Sequence, residues 1–506
     1  MLCRCFWEAG VSQNTLQFVP CSGADVGSKL TGHPDVDFVI LTGGTDTGMA
    51  ILKQRPGVLL AAETGGKNVT IVTAMSDRGQ AVKNIVSSAF GHCGQKCSAT
   101  SLAILEKEVY EDATFKRQLV DAAHSLGVGS AWDFENRMGP LIRPPEGALQ
   151  KALTALEPGE SWALQPENRP DNPSLWTPGI KWEVQPGSST HLTEFFGPLL
   201  GVMPAQDLKQ AIDLAHQTGY GLTAGLESLD KREQAYFKAH MRAGNLYVNR
   251  GTTGAITLRQ PFGGMGKSAL GAGIKAGGPR YVSQFMDFAE TLPPAIGALQ
   301  ATHPLLQLAQ EWDNTCAWGQ LPEYAKDLKK VVRAIKSCLY HWEQDFSQAK
   351  DFFHLRGQDN LLRYLPVGKV LVRVHPDDSL FDTLARTAAA RICGCQVIVS
   401  LPEGLENAAV TFLKSRQGRR LLDTTTLTVH SDEELIRMLP EIDRIRYAGP
   451  ERVPALVWSA AAAGGFYIAR APVRMHGIIE ILHYLREQSI CDSYHRYGNL
   501  GARGLS

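Results

Sequence analysis

The sequence predicts an α/β fold in which two regions of alternating strands and helices are separated by a helical linker. An apolar run at 37–41 leads through a glycine-rich turn at 42–48 into a helical pattern at 49–54. Residues 365–485 return to the same alternation of short apolar runs and helical segments. This alternation is typical of βαβ units, which form parallel sheets with right-handed crossovers.

The turn at 42–48 is the first element that suggests a chemical role. A turn between a strand and a helix offers backbone N–H groups to a phosphate, because the first N–H groups of the helix have no partner within it. We expect Gly43, Gly44 and Gly48 to form such a phosphate site. Taken alone, the pattern favours an ordinary tight turn, and the motifs that follow it favour the phosphate site.

Two glycine-framed motifs come next, and each carries one reactive side chain. The first is ETGGKN at 63–68 with Glu63, and the second is GQKCSA at 94–99 with Cys97. A thiolate can attack a substrate carbon and a carboxylate can later activate water, so the pair can divide covalent catalysis. Glycines beside both residues let backbone amides approach a substrate closely.

The elements around these motifs follow from local patterns. Residues 69–73 are rich in β-formers, and residues 78–90 have an amphipathic helical pattern that leads into the Cys97 turn. Residues 243–249 predict a strand. The chain between 146 and 186 is rich in Pro, Gly and Trp, which predicts an excursion over the surface.

The chain changes character at 291–355, where apolar residues have helical spacing and the basic residues face outward. We expect a helical linker there. The alternating region at 365–485 contains neither a GxGxxG motif nor a Glu–Cys pair of the kind described above. We interpret it as a second, non-catalytic Rossmann-like domain.

The composition argues against several classes of function. Lys and Arg together number 51, as do Asp and Glu, so the formal charge is zero and a nucleic-acid or anionic-membrane role is disfavoured. No apolar run reaches the ~18–20 residues that a membrane helix needs. The ten cysteines form no CxxC pair, which predicts reduced thiols, a cytoplasmic location and no metal site.

The Glu63 and Cys97 motifs, together with TEFFGP at 193–198, resemble the aldehyde dehydrogenase superfamily. The resemblance implies an NAD cofactor, with Cys97 as nucleophile and Glu63 as general base. It also implies that the turn at 42–48 faces the cofactor pyrophosphate. Glu194 would contact the nicotinamide ribose, and the Phe196 ring would lie against the cofactor.

Further motifs narrow the resemblance. TGA at 253–255 and KAGGP at 275–279 are similar to those of L-glutamate γ-semialdehyde (pyrroline-5-carboxylate) dehydrogenase modules in bacterial bifunctional proline-catabolic enzymes. The larger of those enzymes carry a degenerate C-terminal domain of the same superfamily, which resembles residues 365–485. YHRYGN at 494–499 resembles their terminal motif. The resemblance implies NAD-dependent oxidation of L-glutamate γ-semialdehyde to L-glutamate.

The amino-acid end of that substrate needs hydrogen-bond donors for its carboxylate. The backbone amides at Gly254 and Ala255 and the Ser98 hydroxyl fit this requirement. Ser98 could instead cap a helix. We expect Phe262 to pack on the aliphatic part of the substrate.

These patterns divide the chain into five segments. They are the C-terminal part of an NAD-binding domain (1–62), an aldehyde dehydrogenase catalytic domain (63–290), a helical linker (291–360), a non-catalytic Rossmann-like domain (361–485) and a C-terminal tail (486–506). The ~40 residues before Gly43 are fewer than a doubly wound dinucleotide-binding half needs. We therefore expect an N-terminally truncated, partial aldehyde dehydrogenase fold that binds NAD weakly.

Two other functions compete with the dehydrogenase. The chain could be a structural or interaction module of a larger proline-catabolic enzyme. It could also be a cysteine hydrolase that pairs Cys97 with His92 or His191, although no oriented His–Asp pair is evident. The expected partners are the small-molecule substrate and either further copies of the chain or a proline dehydrogenase module, but no nucleic acid.

Overall fold

The computed structural model describes residues 1–299, 302–423 and 425–494. Most of the tail motif at 494–499 therefore lies outside the described residues. The α-helices are, in chain order, α1 (Leu2–Glu8), α2 (Ser28–Gly32), α3 (Thr45–Gln54), α4 (Arg78–Phe90), α5 (Lys107–Tyr110), α6 (Ala113–His124), α7 (Gly147–Thr154), α8 (Ser189–Leu192), α9 (Leu208–Gln217), α10 (Lys231–His240), α11 (Pro304–Ala317), α12 (Ala325–His341), α13 (Leu380–Ile392), α14 (Ala408–Lys414), α15 (Arg416–Arg419), α16 (Asp432–Met438), α17 (Ala455–Gly464) and α18 (Gly477–Glu480).

The strands are β1 (Phe38–Gly43), β2 (Leu59–Thr64), β3 (Asn68–Val72), β4 (Thr100–Glu106), β5 (Ser161–Leu164), β6 (Gly179–Trp182), β7 (Leu199–Ala205), β8 (Tyr220–Gly221), β9 (Thr223–Glu227), β10 (Asn245–Val248), β11 (Met265–Gly266), β12 (Ala269–Leu270), β13 (Lys350–Asp351), β14 (Gln358–Pro366), β15 (Lys369–Arg373), β16 (Gln396–Leu401), β17 (Thr426–Val429), β18 (Arg444–Arg446), β19 (Ile468–Ala469) and β20 (Leu485–Ser493). Short 3₁₀ or π turns occupy Gly23–Gly27, Gly91–Gly94, Tyr281–Phe285, Trp342–Phe346, Arg420–Leu422, Leu439–Glu441, Pro450–Arg452 and Ile481–Tyr484.

Most strands belong to two large sheets. The ten-stranded sheet has the order β13-β14-β20-β10-β9-β3-β4-β7-β6-β5, and its central strands are parallel. The five-stranded sheet has the order β17-β16-β15-β18-β19 and is parallel throughout. Two smaller sheets join β1, β2 and β12, and β8 and β11. This arrangement confirms the predicted α/β fold class.

Helix α4 shows how local sequence positions the cysteine motif. The side chain of Asp77 caps the helix by accepting the N–H of Gln80. Residues spaced three and four apart on one face, among them Ala81, Ile85 and Ala89, are fully buried. The helix ends at Phe90, so its packed face fixes where the GQKCSA segment begins.

The five-stranded sheet has the strand order of a doubly wound fold, with its first strand, β15, in the middle. Helix α13 covers it and begins with a capping box between Ser379 and Asp382. Its buried face includes Leu384 and Ala388. The alternation of strands and helices predicted for 365–485 agrees with this structure.

The last described strand, β20, returns to the ten-stranded sheet. It pairs in parallel with β10 and antiparallel with β14. The region beyond residue 290 therefore contributes three neighbouring strands, β13, β14 and β20, to the sheet that also contains β3, β4 and β10. The division of the chain into five segments is still a prediction. These pairings show only that residues 358–366 and 485–493 lie in the ten-stranded sheet.

The predicted surface excursion at 146–186 is wrong in part. Strands β5 and β6 form one edge of the ten-stranded sheet, and all four residues of β6 are buried. Trp162 and Trp182 are half-buried and buried, respectively, in the hydrophobic core beneath this edge. The Trp residues that suggested a loop are therefore core residues.

Within the described ranges, every helix is too short or too polar to span a bilayer.

Candidate active site

The segment before Cys97 makes a tight left-handed turn. His92, Cys93 and Gly94 have φ angles of 54°, 56° and 67°. A left-handed conformation is unfavourable for the first two residues, which carry a Cβ, and glycine adopts it freely. A Cβ on Gly94 would also overlap with the Gly197 carbonyl oxygen. The turn thus packs directly against the TEFFGP motif.

Asn68 joins the two predicted catalytic motifs. Its Nδ2 donates to the carbonyl oxygens of Cys97 at 2.7 Å and Ala99 at 2.9 Å, and its Oδ1 accepts the Thr223 N–H at 3.0 Å. A Cβ on Gly66 would lie 3.0 Å from the Cys97 carbonyl oxygen. The structure therefore brings the ETGGKN and GQKCSA segments into direct contact.

The Cys97 thiol lies half-buried between two carboxylates. Burial raises the pKa of this thiol, and the nearby Glu194 and Glu63 carboxylates raise it further. The backbone N–H groups of Ser98 and Cys97 oppose this by lowering the pKa. Cys97 is therefore a thiol whose proton must be removed before it can attack.

Glu63 lies at the end of β2, next to a glycine pair. Its Oε2 accepts the Gly264 N–H at 2.9 Å, and a Cβ on Gly263 would lie 2.7 Å from its Oε1. Burial raises the pKa of Glu63 to about 7, and the Lys275 ammonium and the Gly264 N–H oppose the increase. A carboxyl group with this pKa can both accept and release a proton near neutral pH.

The Glu194 carboxylate also lies near the Cys97 thiol. Its Oε1 accepts the Gly66 N–H at 2.9 Å, and burial raises its pKa. Lys67 is buried beside it, with its Nζ 5.1 Å from the centre of the Phe195 ring, and burial lowers the Lys67 pKa to about 7. Phe196 is 40% exposed, and its carbonyl oxygen accepts from Gln95 Nε2 at 3.2 Å.

The predicted phosphate turn lies at the same sheet edge as Glu63. Gly43 pairs with Thr64 in the parallel register of β1 and β2, and Gly44 directly precedes α3 with open space where a Cβ would be. Gly48 lies inside α3 instead, where a Cβ would be 2.7 Å from Leu270 Cδ1. Close packing is sufficient to explain that glycine.

A third segment, which contains two of the predicted substrate residues, is tied to the cysteine turn. The Ser98 carbonyl oxygen accepts from Thr252 Oγ1 at 2.9 Å, which ties the loop containing Gly254 and Ala255 to the turn. Gly254 is exposed and Ala255 is half-buried. Phe262 is fixed by two hydrogen bonds to the Ala276 backbone, immediately before the glycine pair that contacts Glu63.

The two histidines of the hydrolase hypothesis do not form a base for Cys97. His191 accepts the Gly187 N–H on Nδ1 at 2.9 Å, and its Nε2 lies 3.0 Å from the Leu214 carbonyl oxygen. Both ring nitrogens are thus engaged, and burial lowers the His191 pKa. His92 has an exposed side chain. Over the described parts of the chain, no cluster of three metal-ligating side chains is present.

Sequence reasoning missed Asn68, Gln95 and Lys67 as site residues, although the quoted motifs contain all three. Their spacing alone gave no signal, because each acts on a segment distant in sequence. Gln95 Oε1, for example, accepts the Ile142 N–H at 3.0 Å. Asn68 thus holds the GQKCSA segment, whereas Gln95 and Lys67 contact the TEFFGP motif.

Iodoacetamide should modify Cys97 before Cys93. The Cys97 side chain is half-buried, whereas Cys93 is 4% exposed and its sulfur donates to the Gly139 carbonyl oxygen at 2.6 Å. Because the Cys97 pKa is raised, its modification rate should increase with pH. Peptide mass mapping after a brief treatment measures the order. Earlier modification of Cys393 or Cys395, both buried, would contradict the assignment.

Comparison with known proteins agrees with this geometry. The model of the aldehyde dehydrogenase family matches residues 1–290. The 1-pyrroline-5-carboxylate dehydrogenase of Geobacillus thermodenitrificans (strain NG80-2) is 36% identical over 286 residues, which are 54% of this chain and 54% of that protein. The protein of the same name from Bacillus subtilis (strain 168) is 35% identical with the same coverage. The chain spans about half the length of these curated relatives.

Two solved structures extend the comparison. Proline utilization A (PutA) from Corynebacterium freiburgense covers 98% of this chain with a TM-score of 0.80 and 36% identity, and the match covers 45% of that chain. A 1-pyrroline-5-carboxylate dehydrogenase from Thermus with bound NAD has a TM-score of 0.52 and 32% identity over 56% of each chain. The first similarity extends beyond residue 290 to nearly the whole chain.

Proposed function

The chain belongs to the aldehyde dehydrogenase family, and on this premise we propose that it oxidises L-glutamate γ-semialdehyde to L-glutamate with NAD in proline catabolism. The observation that carries the proposal is the contact between the ETGGKN and GQKCSA segments through Asn68. This contact, together with the effect of the Glu63 carboxylate on the Cys97 pKa, supports a single site that holds a thiol and a carboxyl with a pKa of about 7. The names of the relatives support the substrate.

The residues present fit a bound NAD. Gly44 leaves open space at the start of α3, where a phosphate can reach backbone N–H groups. The Glu194 carboxylate lies beside the cysteine turn and can accept hydrogen bonds from ribose hydroxyls. The chemistry that NAD would supply is acceptance of the hydride from the aldehyde carbon.

In the proposed reaction, the Cys97 thiol first loses its proton to solvent. The thiolate sulfur then bonds to the aldehyde carbon as the C=O double bond becomes a C–O⁻ single bond, which gives a thiohemiacetal anion. Loss of the hydride converts this adduct into a thioester on Cys97. Glu63 then takes a proton from a water molecule, whose oxygen bonds to the thioester carbon as the C–S bond breaks. The carboxylate product leaves, and the sulfur regains a proton.

We propose that the loop at 251–255 binds the amino-acid end of the substrate. The Gly254 and Ala255 amides and the Ser98 hydroxyl would donate to its carboxylate, and Phe262 would cover its aliphatic part. Thr252 supports this role because its hydroxyl ties that loop to Ser98. Association with a proline dehydrogenase module or with further copies, and a cytoplasmic location, also belong to this proposal.

NADH absorbance tests the activity directly. With glutamate γ-semialdehyde and NAD, the protein should form NADH, and Cys97→Ala should form none, because the hydride leaves only from the cysteine adduct. Cys316→Ala, which removes a half-buried thiol from α11, is the matched control and should retain activity. NADH that depends on Cys97 contradicts the structural-module hypothesis. Its absence from the wild-type protein contradicts the enzyme.

A further inference from the structure

A buried ammonium group lies behind Glu63. Lys275 is 2% exposed, and its Nζ donates to Asn245 Oδ1 at 2.8 Å and to the Gly263 carbonyl oxygen. Gly263 and Gly264 are also the residues that contact the Glu63 carboxylate. Lys275 and Glu63 therefore contact the same glycine pair, Gly263 and Gly264, and the two charges interact electrostatically.

The second acidic partner of Lys275 comes from the far end of the chain. Glu487 lies on β20, outside residues 1–290, and is 3% exposed. The Glu487 Oε2 accepts the backbone N–H of Lys275 at 2.7 Å. The backbone N–H of Glu487 donates to the Gly273 carbonyl oxygen at 3.4 Å. These two bonds fasten β20 to the segment that carries Lys275.

The three side chains determine one another's charge. Burial lowers the pKa of Lys275 to about 8, and the Glu63 and Glu487 carboxylates oppose this decrease. Burial raises the pKa of Glu487 to about 6, and Lys275 opposes the increase. A buried ammonium without nearby carboxylates would lose its proton, and Glu63 would then lose its cation.

We propose that Lys275, held by Glu487, is a positioning residue that keeps Glu63 ionised and oriented toward the thioester, so that strand β20 completes the active site. This inference rests on the proposed function, because Glu63 acts as a base only if the thioester on Cys97 forms. It assigns to the C-terminal region an electrostatic role, exerted through Lys275, in the chemistry of residues 63–97.

Few other groups near Glu63, Lys275 and Glu487 can contribute to a pH dependence of the step that Glu63 performs. The titratable or charged side chains that also face these three are Cys97, Tyr281, Tyr364 and Arg280. Burial raises the pKa of Cys97 and of both tyrosines, so they remain protonated near neutral pH. Glu63, Lys275 and Glu487 are thus the groups that titrate.

An activated ester isolates the step that Glu63 performs. p-Nitrophenyl acetate acylates a thiol directly, so the thioester on Cys97 forms without cofactor or hydride transfer. Release of p-nitrophenol then shows a burst for acylation and a steady rate for deacylation. The steady rate should decrease as pH falls through the Glu63 pKa of about 7, because the protonated carboxyl cannot take a proton from water.

Lys275→Met should move this decrease to higher pH by about one unit, since a nearby opposite charge lowers a carboxyl pKa by about 1–3 units. Glu487→Gln should move it in the same direction by less, because Lys275 then loses its proton at lower pH. Lys275→Arg keeps the charge and should stay nearer to wild type. Asp492→Asn is the matched control on β20, where Asp492 pairs with Lys238 at 2.6 Å, and should cause no shift.

The results separate this inference from the proposed function. Suppose that the wild type shows a burst, and that the pH profile of the steady rate is the same in Lys275→Met, Glu487→Gln and the wild type. This result overturns the positioning role alone. If Lys275→Met does not fold, Glu487→Gln still decides the question, because glutamine keeps an acceptor for the Lys275 N–H. Lack of a wild-type burst overturns the thioester on Cys97, and both proposals with it.

Discussion

Glu63→Gln should still transfer one equivalent of hydride per site but should lose steady turnover. Glutamine keeps an acceptor for the Gly264 N–H and nearly the same shape, so Cys97 can still form the thioester. It cannot take a proton from water, and general-base catalysis contributes about 10²–10⁴-fold. Stopped-flow absorbance should therefore show an NADH burst followed by a steady phase slower by at least about 100-fold.

Glu108→Gln is the control for this change, because Glu108 is an exposed carboxylate on α5. Both phases should match the wild type. An unchanged steady rate in Glu63→Gln would mean that the carboxyl only supports the glycine pair. Loss of the burst as well would mean that Glu63 is needed before hydride transfer, contrary to the division of labour proposed for Cys97 and Glu63.

Gly94→Ala should destabilise the protein and abolish activity. The new Cβ would overlap with the Gly197 carbonyl oxygen, and φ is +67°. Overpacking costs about 1–3 kcal/mol and a left-handed alanine about 1–2 kcal/mol, so we expect a loss of about 3 kcal/mol in the free energy of unfolding. Relief of the overlap would move the Cys97 turn away from the TEFFGP motif.

Gly91→Ala is the matched control three residues earlier. Its φ is −55°, and no atom lies within 4 Å of the position of a Cβ. This variant should unfold at the same denaturant concentration as the wild type, within about 0.5 kcal/mol. Chemical unfolding and NADH formation, measured side by side, check both variants. Equal stability of the two would contradict the packing described for the turn.

The local features of the site could be predicted from the sequence. The Glu63 and Cys97 motifs carry their glycines with them, and helix 78–90 has an apolar face that ends directly before the turn. The α/β class followed from the same local alternation. The hydrogen bonds that hold the motifs together could not be predicted, because the partner of Asn68 lies about 30 residues away in the sequence, beyond a strand pairing.

The role of β20 was beyond local patterns for a similar reason. Its pairing with β10 joins segments separated by more than 200 residues, and the sequence of neither strand indicates which strand it pairs with. Residues 146–186 were misinterpreted in part because Pro and Gly are typical of loops. Trp is enriched in strands, and tertiary packing places Trp182 in the core. Glu487 lies on a strand that the sequence analysis assigned to a tail.

The acyl group on Cys97 is the most direct test of the central claim, which is that Cys97 and Glu63 divide covalent catalysis. Glu63→Gln would be mixed with NAD and glutamate γ-semialdehyde, quenched in acid during the burst, digested and analysed by mass spectrometry. We expect one glutamyl adduct per chain, on the peptide that contains Cys97. NADH formation with no adduct, or with the adduct on another cysteine, would contradict the claim.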